Sequence, residues 1–309
     1  MANDLKTVAE VVAINGQDFD SGEFSDILND APALAAMGVK ESSNGKDHKY
    51  VKKTAPPIVG FIGNGVGRDF SKLTSIPVTD SLEAIDGSVM MPKVAADASD
   101  DREGTIQTEI MEHLKASMFE WEKQIFNGTN NSPTGFNGFA DVVSDTSNTQ
   151  FVNGGGTGGG SVYTSVYMVR VNGSINGIAP VMNYNLEVGE TIVQNYDPGD
   201  GKNAPHYYTP VFGYTGLQIG NNYSIVRVGN LDGSDSLTDD LLSQALEKFP
   251  AGSAPTHIFM NRAQRGALQR SRTTYSPTGQ PAVLPSEYEG LPIVITEALG
   301  QLEDEVVAP

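Results

Sequence analysis

Apolar residues return every three or four positions at Ile106, Ile110, Leu114, Met118, Trp121 and Ile125. That spacing lays one hydrophobic stripe along a helix. Met111, Phe119 and Phe126 widen the stripe. Ser99, Asp100 and Asp101 precede it with capping oxygens and negative charge, and Asn127-Gly128 follows it as a left-handed stop. The pattern predicts a helix over residues 100–127, a rod of about 38 Å at about 1.5 Å per residue, long enough to act as a spine. Glu112 with Lys115, and Glu120 with Lys123, stand three apart on the outer side, where each pair adds a few tenths of a kcal/mol at most.

Elsewhere the periodicity is shorter. Residues 1–37 form an arm, weakly apolar at Leu5, Val8, Val11 and Val12. It ends in a short helix over Phe24–Met37 that turns Ile27, Leu28, Leu34 and Ala35 inward and breaks or restarts at Pro32. Residues 38–75 carry short β-prone runs interrupted by Pro56-Pro57 and by Gly60, Gly63, Gly65 and Gly67, the pattern of a long two-stranded flap. An isolated hairpin is marginal in water, so the flap is expected to lie on another subunit. Val78, Leu82, Ile85 and Val89 alternate with polar residues and predict one or two strands leading into the spine. Residues 144–160 are Gly-rich and read as a flexible loop at a lobe boundary.

The remainder is β-rich with two helices. Residues 161–231 alternate as strands, with Asn172-Gly173 as a hairpin turn. Residues 236–249 make an amphipathic helix capped by Ser236, with Leu237, Leu241, Leu242, Ala245 and Phe249 inward. A buried strand over 256–260, a helix opened by Asn261 with Gln264, a last buried strand over 291–296 and an acidic tail follow. The mixture is an α+β fold, a mixed sheet with helices on its faces.

Charge narrows the function. The net charge of −18 and pI near 4.5 argue against a protein that grips nucleic acid through phosphate contacts. Against that background residues 38–75 stand out: Lys40, Lys46, Lys49, Lys52, Lys53, Arg68 and Lys72 against Glu41, Asp47 and Asp69 leave a local excess of +4. Cysteine is absent, which excludes disulfides and thiolate metal sites. Neither a signal peptide nor a run of 18 apolar residues is visible, so no membrane role is expected. His48, His113, His206 and His257 stand at no metal-ligand spacing, the flap glycines miss the dinucleotide fingerprint, and G-x-S-x-G is absent. No catalytic, cofactor-binding or metal residue is assigned, and no cofactor is expected.

The order of arm, basic flap, spine, β-rich lobe and returning strand resembles the major capsid proteins of tailed bacteriophages, with the Hong Kong-type shell fold. The motifs that carry it are FEWEKQIFNG closing the spine, SVYMVRVNGSINGIAP, GLQIGNNYSIVRVGNLD, HIFMNRAQRGALQR and YEGLPIVITEAL. The resemblance implies an N-terminal arm and short helix (1–37), an extended loop (38–75), a peripheral domain (76–128 and 286–309) and an axial domain (129–285). It implies pentamers and hexamers of this chain in a shell around double-stranded DNA, with each extended loop across a neighbour. Scaffolding, portal and cement or decoration proteins are the implied partners, with assembly in the host bacterial cytoplasm and residence in the virion.

A basic flap on an acidic body offers charge complementarity between identical subunits, so Lys49, Lys52, Lys53 and Arg68 are the expected assembly residues. An acidic inner wall would hold DNA without sequence-specific binding. Two alternatives stand beside this. One is an encapsulating shell of the same fold around a cargo enzyme. The other is a two-lobed cytosolic hydrolase using dispersed carboxylates such as Asp97, Asp101 or Glu109, which would need a pocket of converging acids.

Overall fold

The computed structural model describes residues 31–62, 64, 67, 69–157, 162–172, 177–183, 186–197, 201–232, 236–274, 280–300 and 303–308. At its centre is the spine helix Arg102–Asn127. Asp101 caps it by accepting from the Gly104 N–H at 2.9 Å. Gly128 ends it at φ +55°, its N–H donating to Gln124 O. Glu112–Lys115 and Glu120–Lys123 pair across the solvent side.

The spine is not buried evenly. Trp121, Ile125 and Phe126 are enclosed, Ile106 is buried near the other end, and Ile110, Leu114 and Met118 are half-buried between them. Met111 is 53% exposed, so the predicted widening of the stripe fails there. The cause is tertiary: at its start the helix meets only a small cluster of Met91, Ala96 and Ile106, whereas its last two turns lie in the main core.

That core lies against a six-stranded sheet ordered Glu287–Tyr288, Leu291–Ile295, His257–Met260, Thr164–Val169, Ile225–Leu231 and Phe151–Asn153. Thr164–Val169 and Ile225–Leu231 are buried at every position, because the sheet is covered on both faces. Val166, Met168, Val226, Val228, Ile258 and Met260 pack with Leu242, Ala245 and Leu268 of the helices Asp239–Glu247 and Arg262–Thr274. Tyr167, Val169, Ile225 and Phe259 point the other way, toward Trp121, Ile125, Phe126 and Phe139.

A second sheet adjoins the spine: Lys40–Glu41, Ile178–Met182, Val211–Ile219 and Glu83–Asp86 in that order, with Glu187–Val188 also on Val211–Ile219. Lys40 is in register with Val181 and Tyr214 with Ala84. Residues 178–219 therefore leave the β-rich lobe to pair with segments from before the spine. A small sheet, Ile192–Tyr196, Ala204–Thr209 and Val89–Pro92, sits at the start of the spine, and the last element is the flap pair Asp47–Ala55 and Thr74–Ser81.

Several local expectations change. The arm helix spans only Pro32–Met37 among the described residues, with Pro32 in its first turn, where a missing N–H costs nothing. Its inward residues are Ala33, Leu34 and Met37, while Ala35 is exposed; Ile27 and Leu28 lie outside the described residues. Residues 74–97 hold the returning flap strand, two further strands and the short helix Lys93–Asp97 rather than one or two strands. Within 144–160, Phe151–Asn153 is a parallel edge strand, and Gly154 and Gly156 donate to Gly229 O and Asn230 O at 2.8 and 3.0 Å. That part of the Gly-rich run is bonded to the sheet. Thr238, not Ser236, caps Asp239–Glu247, accepting from the Leu241 N–H. Asn261 does open its helix, accepting from the Gln264 N–H at 2.8 Å.

Candidate functional site

The flap strands pair antiparallel, with His48 opposite Asp80, Tyr50 opposite Val78 and Lys52 opposite Ile76. Alternation along a strand gives the flap two faces. His48, Tyr50 and Lys52 face the body of their own chain. His48, only 3% exposed, donates from Nε2 to Gln218 Oε1 at 2.8 Å; Tyr50 donates to Ile219 O at 3.1 Å; Lys52 Nζ donates to Asn222 Oδ1 at 2.9 Å. The root of the flap is thus seated on its own subunit. A cleft of about 590 Å³ remains beneath it, lined by Tyr50, Val78, Asp80, Phe136, Leu217 and Ile219 among others. Burial pushes the Asp80 carboxyl above its ordinary range, and burial with the Asp80 charge beside it pushes the Tyr50 phenol up.

The four expected assembly residues are therefore not equivalent. Lys49 and Lys53 are exposed on the flap's outer face. Lys52 points the other way and is committed to Asn222. Arg68 lies outside the described residues. Sequence reading missed the apolar character of the flap's far end: Ile58, Val59, Phe61, Ile62 and Phe70 are largely or fully exposed. Their signal was present as hydrophobic letters between prolines and glycines, in a stretch too short to cover them.

Two buried ionisable groups also escaped the sequence. Glu122, fully buried on the spine, accepts from the Leu34 N–H at 2.8 Å and from the Thr296 hydroxyl, joining the arm helix, the spine and the end of the last core strand. Burial raises its carboxyl above the usual range against the pull of these donors. Arg227 donates to Ser165 Oγ and Val143 O, both at 2.9 Å, and to Glu303 Oε2 at 2.7 Å. Every one of these partners is structural.

The sequence profile of the family described as major capsid protein GP7 matches residues 21–307. The chain belongs to this family. It is a phage major capsid protein, a self-associating subunit of an icosahedral head shell and a component of the virion. Among solved structures, the chain is similar to a chain of bacteriophage Epsilon15, with a TM-score of 0.72, 16% identity, and coverage of 100% of this chain and 99% of that one. It also resembles a chain of the bacteriophage JBD30 capsid, with a TM-score of 0.53, 11% identity and coverage of 93% and 98%. These likenesses establish the Hong Kong-type capsid fold. No curated protein matches the chain.

Capsid proteins of this family are structural, which removes the hydrolase reading. The carboxylates named for that reading serve the capsid subunit's frame. The bond from Lys93 holds Asp97 below its ordinary range, opposite to a carboxyl tuned as a general acid; Tyr207 donates to it as well. Asp101 is the spine cap, and Glu109 is a half-buried residue in the first third of that helix. Among the described residues, no group of three or more His, Cys, Asp or Glu could hold a metal ion, and no helix is long and apolar enough to cross a membrane.

Proposed function

We propose that the capsid subunit closes its shell as pentamers and hexamers, the outer part of each flap lying across the next copy. The observation that carries this is the division of the flap. Its root is hydrogen-bonded to its own body, whereas its far end presents Ile58, Val59, Phe61, Ile62 and Phe70 to solvent. Exposed apolar residues in such a group are the mark of a surface awaiting a protein partner. Lys49 and Lys53, exposed along the strand that leads out to them, supply the charge that steers a basic flap onto an acidic copy. Arg68 joins them in this role, and Lys52 acts earlier by seating the flap.

In the same reading the six-stranded sheet with its two covering helices forms the axial part around the symmetry centres. The spine, the sheet it adjoins and the flap form the peripheral part, which takes residues 178–219 as well as 76–128. The shell encloses double-stranded DNA without sequence-specific contacts, and scaffolding, portal and cement proteins join it during assembly. The family to which the chain belongs supports a DNA-filled head over a cargo-filled one.

Negative-stain microscopy with sedimentation tests the proposal. The wild-type chain, coexpressed with its neighbouring genes, gives closed shells; Lys49→Glu with Lys53→Glu and Arg68→Glu gives folded, unassembled subunits. Normal shells from the reversed flap would refute the role given to these residues.

A further inference from the structure

The flap is joined to the body at a narrow root, and His48 stands in that root. The chain leaves the body through a turn in which Asn44 and Asp47 exchange backbone hydrogen bonds of 3.1 Å, with Gly45 at φ +58°. It returns at Leu82, whose N–H donates to Lys46 O at 2.8 Å. Both nitrogens of the buried His48 ring are engaged between these points. Nδ1 faces the Ser43 N–H at 3.2 Å, and Nε2 faces Gln218 Oε1 at 2.8 Å.

An amide N–H can only donate, so Nδ1 must carry a lone pair, and the proton of the neutral ring must be on Nε2. One protonation state out of three satisfies both contacts. We propose that His48 is a proton-sensitive latch that holds the flap at its seated angle when neutral and releases the flap root when protonated.

A proton added at Nδ1 sets two donors face to face, and the ring, almost fully enclosed, has no solvent to turn toward. The charged groups facing the ring decide how strongly release is favoured. Lys40 Nζ donates to the same Gln218 Oε1 at 3.0 Å, so a second cation would share that oxygen. Asp80, directly opposite on the returning strand, is the carboxylate that could offset an imidazolium. Burial holds the Asp80 carboxyl above the ordinary aspartate range, which makes it a weaker offsetting charge than an exposed aspartate. Tyr50, whose ring centroid lies 5.7 Å from that of His48, stays neutral throughout. The latch is therefore closed while the ring is neutral and opens when the ring gains its second proton. The cleft of about 590 Å³ under the flap gives the released strand pair room to change its angle. This device concerns the root alone and does not depend on which surface the flap's far end meets.

Hydrogen exchange of the purified full chain between pH 8 and pH 5.5, corrected for intrinsic rates, tests the latch. In the wild type, exchange of the Ser43 amide and of the 42–50 backbone rises on the order of tenfold toward the acid end, the ratio expected for one buried hydrogen bond lost. His48→Asn keeps an acceptor near Nδ1, and His48→Gln keeps a donor near Nε2; neither titrates, and both show a flat profile. A flat wild-type profile, or an equal rise in both variants, overturns the proposal. Nitrogen NMR of the wild-type ring gives a second reading at neutral pH: an Nε2–H tautomer agrees, and an Nδ1–H tautomer or an imidazolium refutes it.

Discussion

Arg227 Nη2 donates to Glu303 Oε2 at 2.7 Å, with the two side chains 5% and 14% exposed. The acidic C-terminal tail is thereby fastened to a central strand of the six-stranded sheet. Ser165 Oγ donates to the same carboxylate oxygen at 2.5 Å and accepts from Arg227 Nε, so three segments close one polar knot. Removing one partner leaves an uncompensated charge in a nearly buried site. Arg227→Met is expected to cost about 3–5 kcal/mol, and Glu303→Leu on top of it to recover much of that loss, since an apolar pair of similar size needs no partners. Urea denaturation of the two variants and the wild type measures both steps.

Glu122 gives a pH dependence of the less usual sign. Its folded carboxyl lies above the unfolded value, with burial as the first cause, so folding takes up a proton between the two. The stability this group contributes is whole below the ordinary glutamate range and is lost as pH rises through the raised value. Glu122→Gln, which keeps an acceptor for the Leu34 N–H, is expected to lack this loss and to equal or exceed the wild type at pH 8. Glu122→Ala leaves the Leu34 N–H and the Thr296 hydroxyl without an acceptor and is expected to cost about 2–4 kcal/mol. Urea midpoints at pH 5 and pH 8 separate these outcomes.

The spine was legible because its period, its Asp101 cap and its Gly128 stop all agree, and each is local. Met111 was misplaced because the same period cannot tell which half of a rod its neighbours cover. Glu122 had a signal that apolar counting passes over: it stands four residues from both Met118 and Phe126, inside the stripe. The excursion of residues 178–219 had none, since pairing Lys40 with Val181 depends on contacts far apart in sequence. In the flap the basic cluster was visible, but which lysines face outward is set by strand register. The alternation of His48, Tyr50 and Lys52 against Lys49, Val51 and Lys53 contains that division.

Phe61 and Phe70 separate assembly from stability. Both are almost fully exposed on the subunit, so Phe61→Ser with Phe70→Ser is expected to move the unfolding free energy by no more than about 0.5 kcal/mol. If the flap's far end docks on the next copy, the same pair of changes removes shell formation. Thermal melting of the subunit beside sedimentation of the assembly mixture reads the two effects separately. A variant that melts normally and still forms shells places the contact elsewhere.

Gly128 is the position where the end of the spine tolerates least. Its φ of +55° disfavours any side chain, and a Cβ there would stand 2.5 Å from Gly138 N. The crowding is functional for the fold: Asp141 accepts from the Gly138 and Thr129 N–H groups at 2.8 and 2.9 Å, folding the chain back over the helix end beside Phe126 and Phe139. Asn at 128 would relieve neither cost: ψ there is −132°, outside the left-handed helical region that Asn tolerates, and beside the Asp141 carboxylate the crowding includes Gly138 N, which is main chain and cannot rotate away. Gly128→Ala and Gly128→Asn are therefore both expected to destabilise by about 2–4 kcal/mol, with Asn no better than Ala by more than about 1 kcal/mol. Gly45, also at positive φ but with no atom near its missing Cβ, is the control: Gly45→Asn there should cost less than about 1 kcal/mol. Urea midpoints that rank Gly128→Asn with Gly45→Asn would show that neither this backbone conformation nor the closeness of Gly138 is costly at this corner.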